Sequence, residues 1–440
     1  METSTDPKLL PALERLAELA RDKGASDVEL LDARWDARSV EVRAGRASDV
    51  QVMSGSVLRG RVYVDGDKSA SFSTKDPSAA RDVITKAMAR AHKAKADKNQ
   101  GPSEAFPISE RGVGLDDQRY DVLTDRDRSD VALENFRGCK AARVICRSTD
   151  YADVRTFRAF YSTRGISASN SDTRYDVRIQ ASLDDESLST EFQAAGRAFA
   201  SIGALPYGLD LGERLQSLAA PSVSLPSTED VAIVLEPHVL ASLLTRLGPA
   251  FCADTVLAGR SFLSKLKDRE LGSYRVHLID DATLHGALLT RAFDDRGVAP
   301  MPVPLIQEGQ LGGLLHTPET ARSEDARPTG HEMDGNLCPS NLILRRGNRS
   351  RTQMLGEVPL ALQFDRLDGD LDIKSGMLEL HGPAFVLESG KRRGLVRRAV
   401  IRGHILDLLK GVKELASNQQ RTLNVDCATA VITGFPVSET

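Results

Sequence analysis

The chain has 440 residues, too many for one ordinary hydrophobic core, which points to two or three domains that each bury most of their apolar surface. With 58 Lys+Arg against 62 Asp+Glu the net charge is -4. No global field therefore draws the protein to nucleic acid or acidic lipid, and any partner must be recognised locally.

The opening METSTDPKLL lacks the cationic segment and apolar run of a secretory signal. No stretch approaches the roughly 18 to 20 apolar residues of a membrane span, so the expectation is a cytoplasmic protein without a membrane anchor. Leu9, Leu10, Leu13, Leu16 and Leu19 follow Pro7 at helical spacing and stop at Lys23-Gly24, which predicts a first helix. From Asp27 to Phe72 the pattern becomes short alternating runs (VELLDARW, SVEVRAG, ASDVQVMSG, LRGRVYVDG, SASFS) broken by Gly, Asp and Ser, as in an antiparallel meander. A helix follows Pro77 through Val83, Ile84, Ala87 and Ala91, and the polar KAKADKNQGPSEAFP reads as a surface loop.

A second module repeats this order. A helix is expected over Ser129 to Ala142, then strands at ARVICRST, VRTFRAFYST, TRYDVRIQASL and LSTEFQAAG. After the helix LDLGERLQSLAA, the Pro/Ser-rich PSVSLPSTED at about 221 to 230 reads as a linker, placing the boundary between domains 1-222 and 223-440. Beyond it VAIVLEP is a strand, HVLASLLTRLGPAF a helix, and YRVHLIDD, RAFDD, VPLIQ, LGGLLHT, NLILRRG, PLALQFD, LDIKSGMLELHG and AFVLESG are strands; HILDLLKGVKELAS is a late helix before ATAVITGF. The expected fold is α+β: a helix-plus-meander N-terminal domain and a large, mainly antiparallel β-rich C-terminal domain.

Signals for chemistry are sparse. A zinc hydrolase places two imidazoles on one helical face, yet neither HExxH nor HExxxH occurs, and the eight histidines never fall three to five apart. No Walker loop or dinucleotide fingerprint is present. GRSFL at Gly259 to Leu263 lacks the second glycine of a nucleophile elbow, so Ser261 reads as a cap. The basic run GKRRGLVRRAVIRGH alternates with Leu395, Val396, Val400 and Ile401, as on the solvated side of a hairpin, which makes nucleic-acid binding an unfavoured reading. Five scattered cysteines without CxxC fit reduced, mostly buried thiols. Adjacent Asp294 and Asp295 resemble an acid/base pair, but sequence neighbours point apart on a strand and diverge on a helix, which favours the cap of a turn between strands.

The run from GRSFLSKL (259 to 266) through LIDDATLHGA to FDDRGVAPMPVPLIQEGQLGGLL (293 to 315), then Thr329-Gly330 and Pro339-Ser340-Asn341-Leu342, resembles the TldD/PmbA family, historically labelled modulators of DNA gyrase, and within it the TldE/PmbA branch. SVEVRAG and SVLRGRVYVDG carry a weaker likeness through the front half. The resemblance implies a TldE-type subunit without its own cofactor that pairs with a TldD-type subunit bearing HExxxH and zinc. The heterodimer would act on unfolded or ribosomally made modified peptides. Where the metal helix of the TldD branch would lie, this chain has Leu240, Leu243, Leu244 and Leu247, and His238 lacks an adjacent Glu. Arg296 replaces the acid usual before Gly297, and His331 replaces the Asn that usually follows Thr-Gly. Candidate peptide-groove or family-motif residues are Asp280, Asp281, Phe293, Asp294, Asp295, Arg296, Gly297, Thr329, Gly330, His331 and Asn341, with the proline-rich 300 to 306 as an extended groove edge. Two other readings remain open: an independent peptide-processing enzyme with an atypical site drawn from residues such as His285, His331 and Cys338, and a regulatory binding protein.

Overall fold

The computed structural model describes residues 9–104, 114–186, 188–203, 205–226, 231–266 and 269–439. Pro7, the end of the predicted loop from Ala105 on, and residues 227–230 of the predicted linker lie outside the described residues. The architecture is α+β with mainly antiparallel sheets, as expected. The chain groups into two compact units, Met1–Glu213 with Ala282–Met301 and His316–Leu337, and Arg214–Asp281 with Pro302–Leu315 and Cys338–Thr440. Each unit thus draws residues from both sides of position 222.

In unit 1, helix α1 (Leu9–Asp22) buries Leu9, Leu13, Ala17 and Ala20, one residue per turn. It ends where Gly24 adopts φ +91°, letting the Ala25 N–H return to the Ala20 carbonyl. The sheet is built from β1 (Asp27–Arg43), β2 (Gln51–Val64), β3 (Lys68–Thr74), β4 (Val144–Ser162), β5 (Ser167–Leu183) and β6 (Ser189–Gly196). Their order is β3-β2-β1-β4-β5-β6, antiparallel throughout. Helices α2 (Ala80–Lys93) and α3 (Asp125–Gly138) complete the unit's main elements; α2 follows a turn that Asp76 caps, and Thr124 and Asp127 form a capping box at α3.

The sequence breaks β1 and β2 into four short strands, but each is one long strand. Gly55, read as a break, instead admits a neighbouring side chain, as does Gly60 inside the predicted run LRGRVYVDG. A Cβ at Gly55 would lie 2.3 Å from the Trp35 ring, and one at Gly60 would lie 2.4 Å from the Phe72 ring. The two strands predicted between Ala142 and Thr163 likewise merge into β4. One face of the sheet, carrying Leu30, Leu58, Val62 and Phe72, packs on α1 and α2.

Unit 2 contains two sheets. One runs in the order Val412–Leu415, Ala430–Ile432, β7 (Ala232–Leu235), then Leu360–Phe364, Met377–Glu388, Lys391–His404 and Val437–Glu439. The other centres on Val303–Gln307, Leu278–Asp280 and Leu342–Leu344. Helix α4 (Pro237–Leu247) turns Leu240, Leu243, Leu244 and Leu247 into the core. The predicted late helix stops at Lys410: after Gly411 the chain forms strand Val412–Leu415, which pairs with Ala430–Ile432. RAFDD forms no strand, because its backbone turns at Asp294. The five cysteines are free thiols, three of them buried, and among the described residues no helix is long and apolar enough to cross a membrane.

Candidate functional site

The second face of the unit 1 sheet is charged, and strand register explains why. Glu29 pairs with Arg61 and Arg61 with Ser71; one row along, Leu31 pairs with Arg59 and Arg59 with Ser73. Side chains two residues apart share a face, so β1, β2 and β3 present these polar groups together while Leu30, Val62 and Phe72 alternate into the core. Over this face fold residues 293–297 and the hairpin Glu332–Met333/Asn336–Leu337 of the same unit. Its Asp334-Gly335 turn has both residues at positive φ, as a tight two-residue hairpin requires.

Arg296 is the centre. It is 4% exposed, donates to Glu29 Oε2 at 2.9 Å, to both oxygens of Glu319 at 2.8 and 2.9 Å and to the Tyr63 hydroxyl at 2.9 Å, and lies 3.5 Å from Glu332. Glu29 also accepts from Tyr63 and from the Ser103 amide. Burial opposes ionisation of Glu319, but the charges of Arg296 and Arg61 outweigh it and hold that carboxyl below its ordinary value. Glu332 differs: burial dominates and pushes its carboxyl up to about 7, despite the opposing pull of Arg296 and Arg61. The Tyr63 hydroxyl is raised by burial and by Glu29.

The two aspartates do not act on one point. Asp294 accepts the amides of Arg296 at 2.8 Å, Val298 at 2.9 Å and Glu332 at 3.1 Å, so it closes its own turn and ties it to the hairpin. Burial raises its carboxyl although all three donors favour the anion. Asp295 turns away to Arg59, at 3.0 Å, and to Arg158. Gly297 sits at φ +67°, where an added Cβ would lie 2.3 Å from the Phe160 ring, itself packed against Phe293. Gly297→Ala is expected to cost about 2 kcal/mol or more through left-handed strain and displacement of Phe160. Urea titration followed by the fluorescence of Trp35, the sole tryptophan, checks this.

Thr329, Gly330 and His331 support the same unit. His331 is fully buried with its Nδ1 2.8 Å from the Thr329 carbonyl, so Nδ1 carries the proton and donates there. Gly330, at φ +74°, lies where a Cβ would be 2.5 Å from Pro300 Cα. In unit 2, buried Asp280 accepts the Ser340 amide at 2.8 Å and the Ser340 hydroxyl, and Asp281 and Asn341 exchange two hydrogen bonds of 2.9 Å. These clasp strand Leu278–Asp280 to Leu342–Leu344. The extended edge expected at 300 to 306 is already in use: Val303–Gln307 pairs with Leu278–Asp280 on one side, and on the other with Gln310–Leu311 at its end.

Between the charged face, the edge strand β3 and the rim of α2 lies a cavity of about 630 Å³ in unit 1. Arg59, Arg61, Arg296, Asp295 and Glu332 form its inner wall, and Ser71, Ser73, Lys86 and Arg90 line it from β3 and α2. Sequence reading missed Glu29, Tyr63, Glu319 and these rim groups. Their signal was faint: a glutamate inside an apolar strand, and two arginines at period two in LRGRVYV.

The α4 helix, where the resemblance puts a metal helix, does not fit zinc. Its leucines pack with Leu278, Ile306, Leu344, Leu408 and Ile432 around a space of only about 20 Å³. His238 is half-buried with Nε2 2.9 Å from the Asp365 carbonyl, and desolvation lowers its basicity. Among the described residues no group of three or more His, Cys, Asp or Glu is set to hold a metal ion.

Residues 228–439 match the PmbA/TldA metallopeptidase C-terminal domain. The chain thus carries, in just under half of its length, a PmbA/TldA-type C-terminal domain. Its relatives include a metalloprotease of Methanocaldococcus jannaschii, 26% identical over 64% of this chain and 65% of the relative, slightly under two thirds of that protein's length. The metalloprotease PmbA of Escherichia coli O157:H7 is 22% identical over 96% of this chain and 94% of its own. Among solved structures, one described as a modulator of a DNA gyrase from Thermotoga maritima matches with TM-score 0.86 and 21% identity, over 97% of this chain and 99% of that one. TldE from Thermococcus kodakarensis matches with TM-score 0.84 and 17% identity, over 97% and 100%. At these identities the solved structures establish the PmbA/TldD fold.

Proposed function

We propose that this chain is the non-catalytic, TldE-like subunit of a heterodimeric zinc peptidase that acts in the cytoplasm on unfolded or ribosomally made modified peptides. It shapes the substrate groove and supports a partner that carries HExxxH. The supporting observation is α4: its inward positions are leucines in a closed core, so the helix has no pair of imidazoles, only His238 turned to the Asp365 carbonyl, and no room for a metal and its water. A PmbA-type fold that keeps the helix and fills its interior suits a supporting subunit.

Two measurements on the full chain test this. Metal analysis of the isolated protein is expected to give far less than one zinc per chain and no hydrolysis of a denatured substrate. Co-expression with the HExxxH-bearing relative of the same organism is expected to yield a co-purifying complex in which hydrolysis appears. Stoichiometric zinc together with hydrolysis by the isolated chain would sink the proposal.

A further inference from the structure

The unit 1 cavity has a charge balance that its own contacts do not close. Arg59 is spent on Asp295 and Asp334, at 3.0 and 2.7 Å, and Arg296 on Glu29 and Glu319. Arg61 shares Glu319 and donates to Ser71 Oγ at 3.1 Å. On the rim the situation changes. Lys86 pairs with Asp82 at 2.6 Å, but both side chains are mostly exposed, at 70% and 62%, so water and salt screen that pair. Arg90 donates to the Ser71 carbonyl and meets no carboxylate among the described residues. The hydroxyls of Ser71 and Ser73 belong to the same edge strand, two residues apart and exposed. The rim therefore offers two cations and two hydroxyl donors to solvent.

The rest of the lining narrows the ligand. Leu31, Phe72, Val83 and Phe160 give the cavity apolar surface, and about 630 Å³ is the volume of a site for an organic molecule, far beyond one inorganic ion. A phosphate group, with a charge of about -1.5 to -2, would also meet the carboxylates of Asp334, Asp295 and Glu332 along the same wall. A single carboxylate on a carbon skeleton avoids most of that repulsion and still pairs with the rim cations.

We propose that this cavity is a recognition site for an acidic peptide, whose carboxylate is held by Lys86 and Arg90 with help from the Ser71 and Ser73 hydroxyls while its carbon skeleton lies on Phe72 and Val83. The proposal rests on the reading of the chain as a peptide-handling subunit and names the class of peptide. It places the specificity on this chain, in unit 1, and leaves bond cleavage to the partner. Recognition by charge at an exposed rim is fast, weakened by salt and independent of the metal.

The test uses the isolated full chain and fluorescence anisotropy of a labelled peptide of alternating Glu and Ala, with a Gln-for-Glu peptide as control. The Glu peptide is expected to bind with an affinity that falls as salt rises, and the Gln peptide to bind at least about tenfold more weakly. The Lys86→Glu/Arg90→Glu double variant, on exposed helical positions, is expected to lose about tenfold or more for the Glu peptide and little for the Gln peptide. Ser73→Asp, on the strand edge, gives an independent reading in the same direction if the helix variant proves unstable. Equal binding of both peptides, wild-type affinity in the charge-reversed variants, or displacement of the peptide by inorganic phosphate as effectively as by unlabelled peptide would each overturn it. Because no partner is present, such a failure removes the site without touching the subunit proposal, which co-purification decides separately.

Discussion

Replacing Arg296 by Met lowers the stability of unit 1 by about 3–5 kcal/mol, the cost of removing one side of a buried ion pair. Methionine keeps much of the length and fills the space, so the loss is electrostatic more than a cavity effect. Glu29 would retain Tyr63 and the Ser103 amide, and Glu319 would retain Arg61, but Arg296 makes its hydrogen bonds to both in a site where its side chain is 4% exposed. Two consequences separate this account from simple packing damage. Arg296→Met/Glu29→Gln should recover part of the loss, because the second change removes an orphaned buried charge. The deficit of the single variant should also shrink on acidification, since protonation neutralises an orphaned carboxylate. Urea midpoints followed at Trp35, which lies on β1 of unit 1, read both. A loss below about 1 kcal/mol, or a double variant weaker than the single, would show that the network does not hold the unit together.

The same residue shows what the sequence could and could not reveal. Local patterns placed α1, α2 and α4 well, because apolar residues at helical spacing and terminal glycine, proline or capping groups are short-range signals. Strand continuity was misread at Gly55, since a glycine that breaks a strand and one that admits Trp35 look alike until the neighbour is known. The end of the helix at Lys410 was overrun for a similar reason: Val412 and Leu415 continue an apolar pattern, and only pairing with Ala430–Ile432 makes them a strand. The turn role of Asp294 was legible because its hydrogen bonds reach two and four residues ahead. The network of Arg296 was not, for its partners Glu29 and Tyr63 lie 267 and 233 residues away. Arg296 stood out in sequence as a departure from an expected acid. The structure gives that departure a physical reason, because an acid there would have joined Glu29, Glu319 and Glu332 with Arg61, paired to Glu319, as the cation left to offset them.

Glu332→Gln is expected to stabilise the protein at pH 8 and to flatten its stability between about pH 5 and 7. The sign follows from where the proton sits. Burial holds the Glu332 carboxyl at about 7 in the folded chain against an ordinary 4.5. Between these values the folded chain binds a proton that the unfolded chain releases, so stability falls as pH rises. The contribution is fully present below the unfolded value and lost as pH passes through 7, and its size is on the order of 3 kcal/mol at about 1.4 kcal/mol per unit. Arg296, Arg61, Asp294 and Glu319 are the charged groups that face it, and the two arginines already moderate the penalty. Glutamine has the same shape and no charge at any pH, so it escapes the loss. It also deprives Arg296 of a weak partner at 3.5 Å, which trims the gain. Urea denaturation at pH 5, 6, 7 and 8 should therefore give curves for variant and wild type that meet at low pH and part at high pH. Parallel curves across that range would mean that Glu332 does not change its ionisation on folding, and the carboxyl at the cavity wall would then be an ordinary anion.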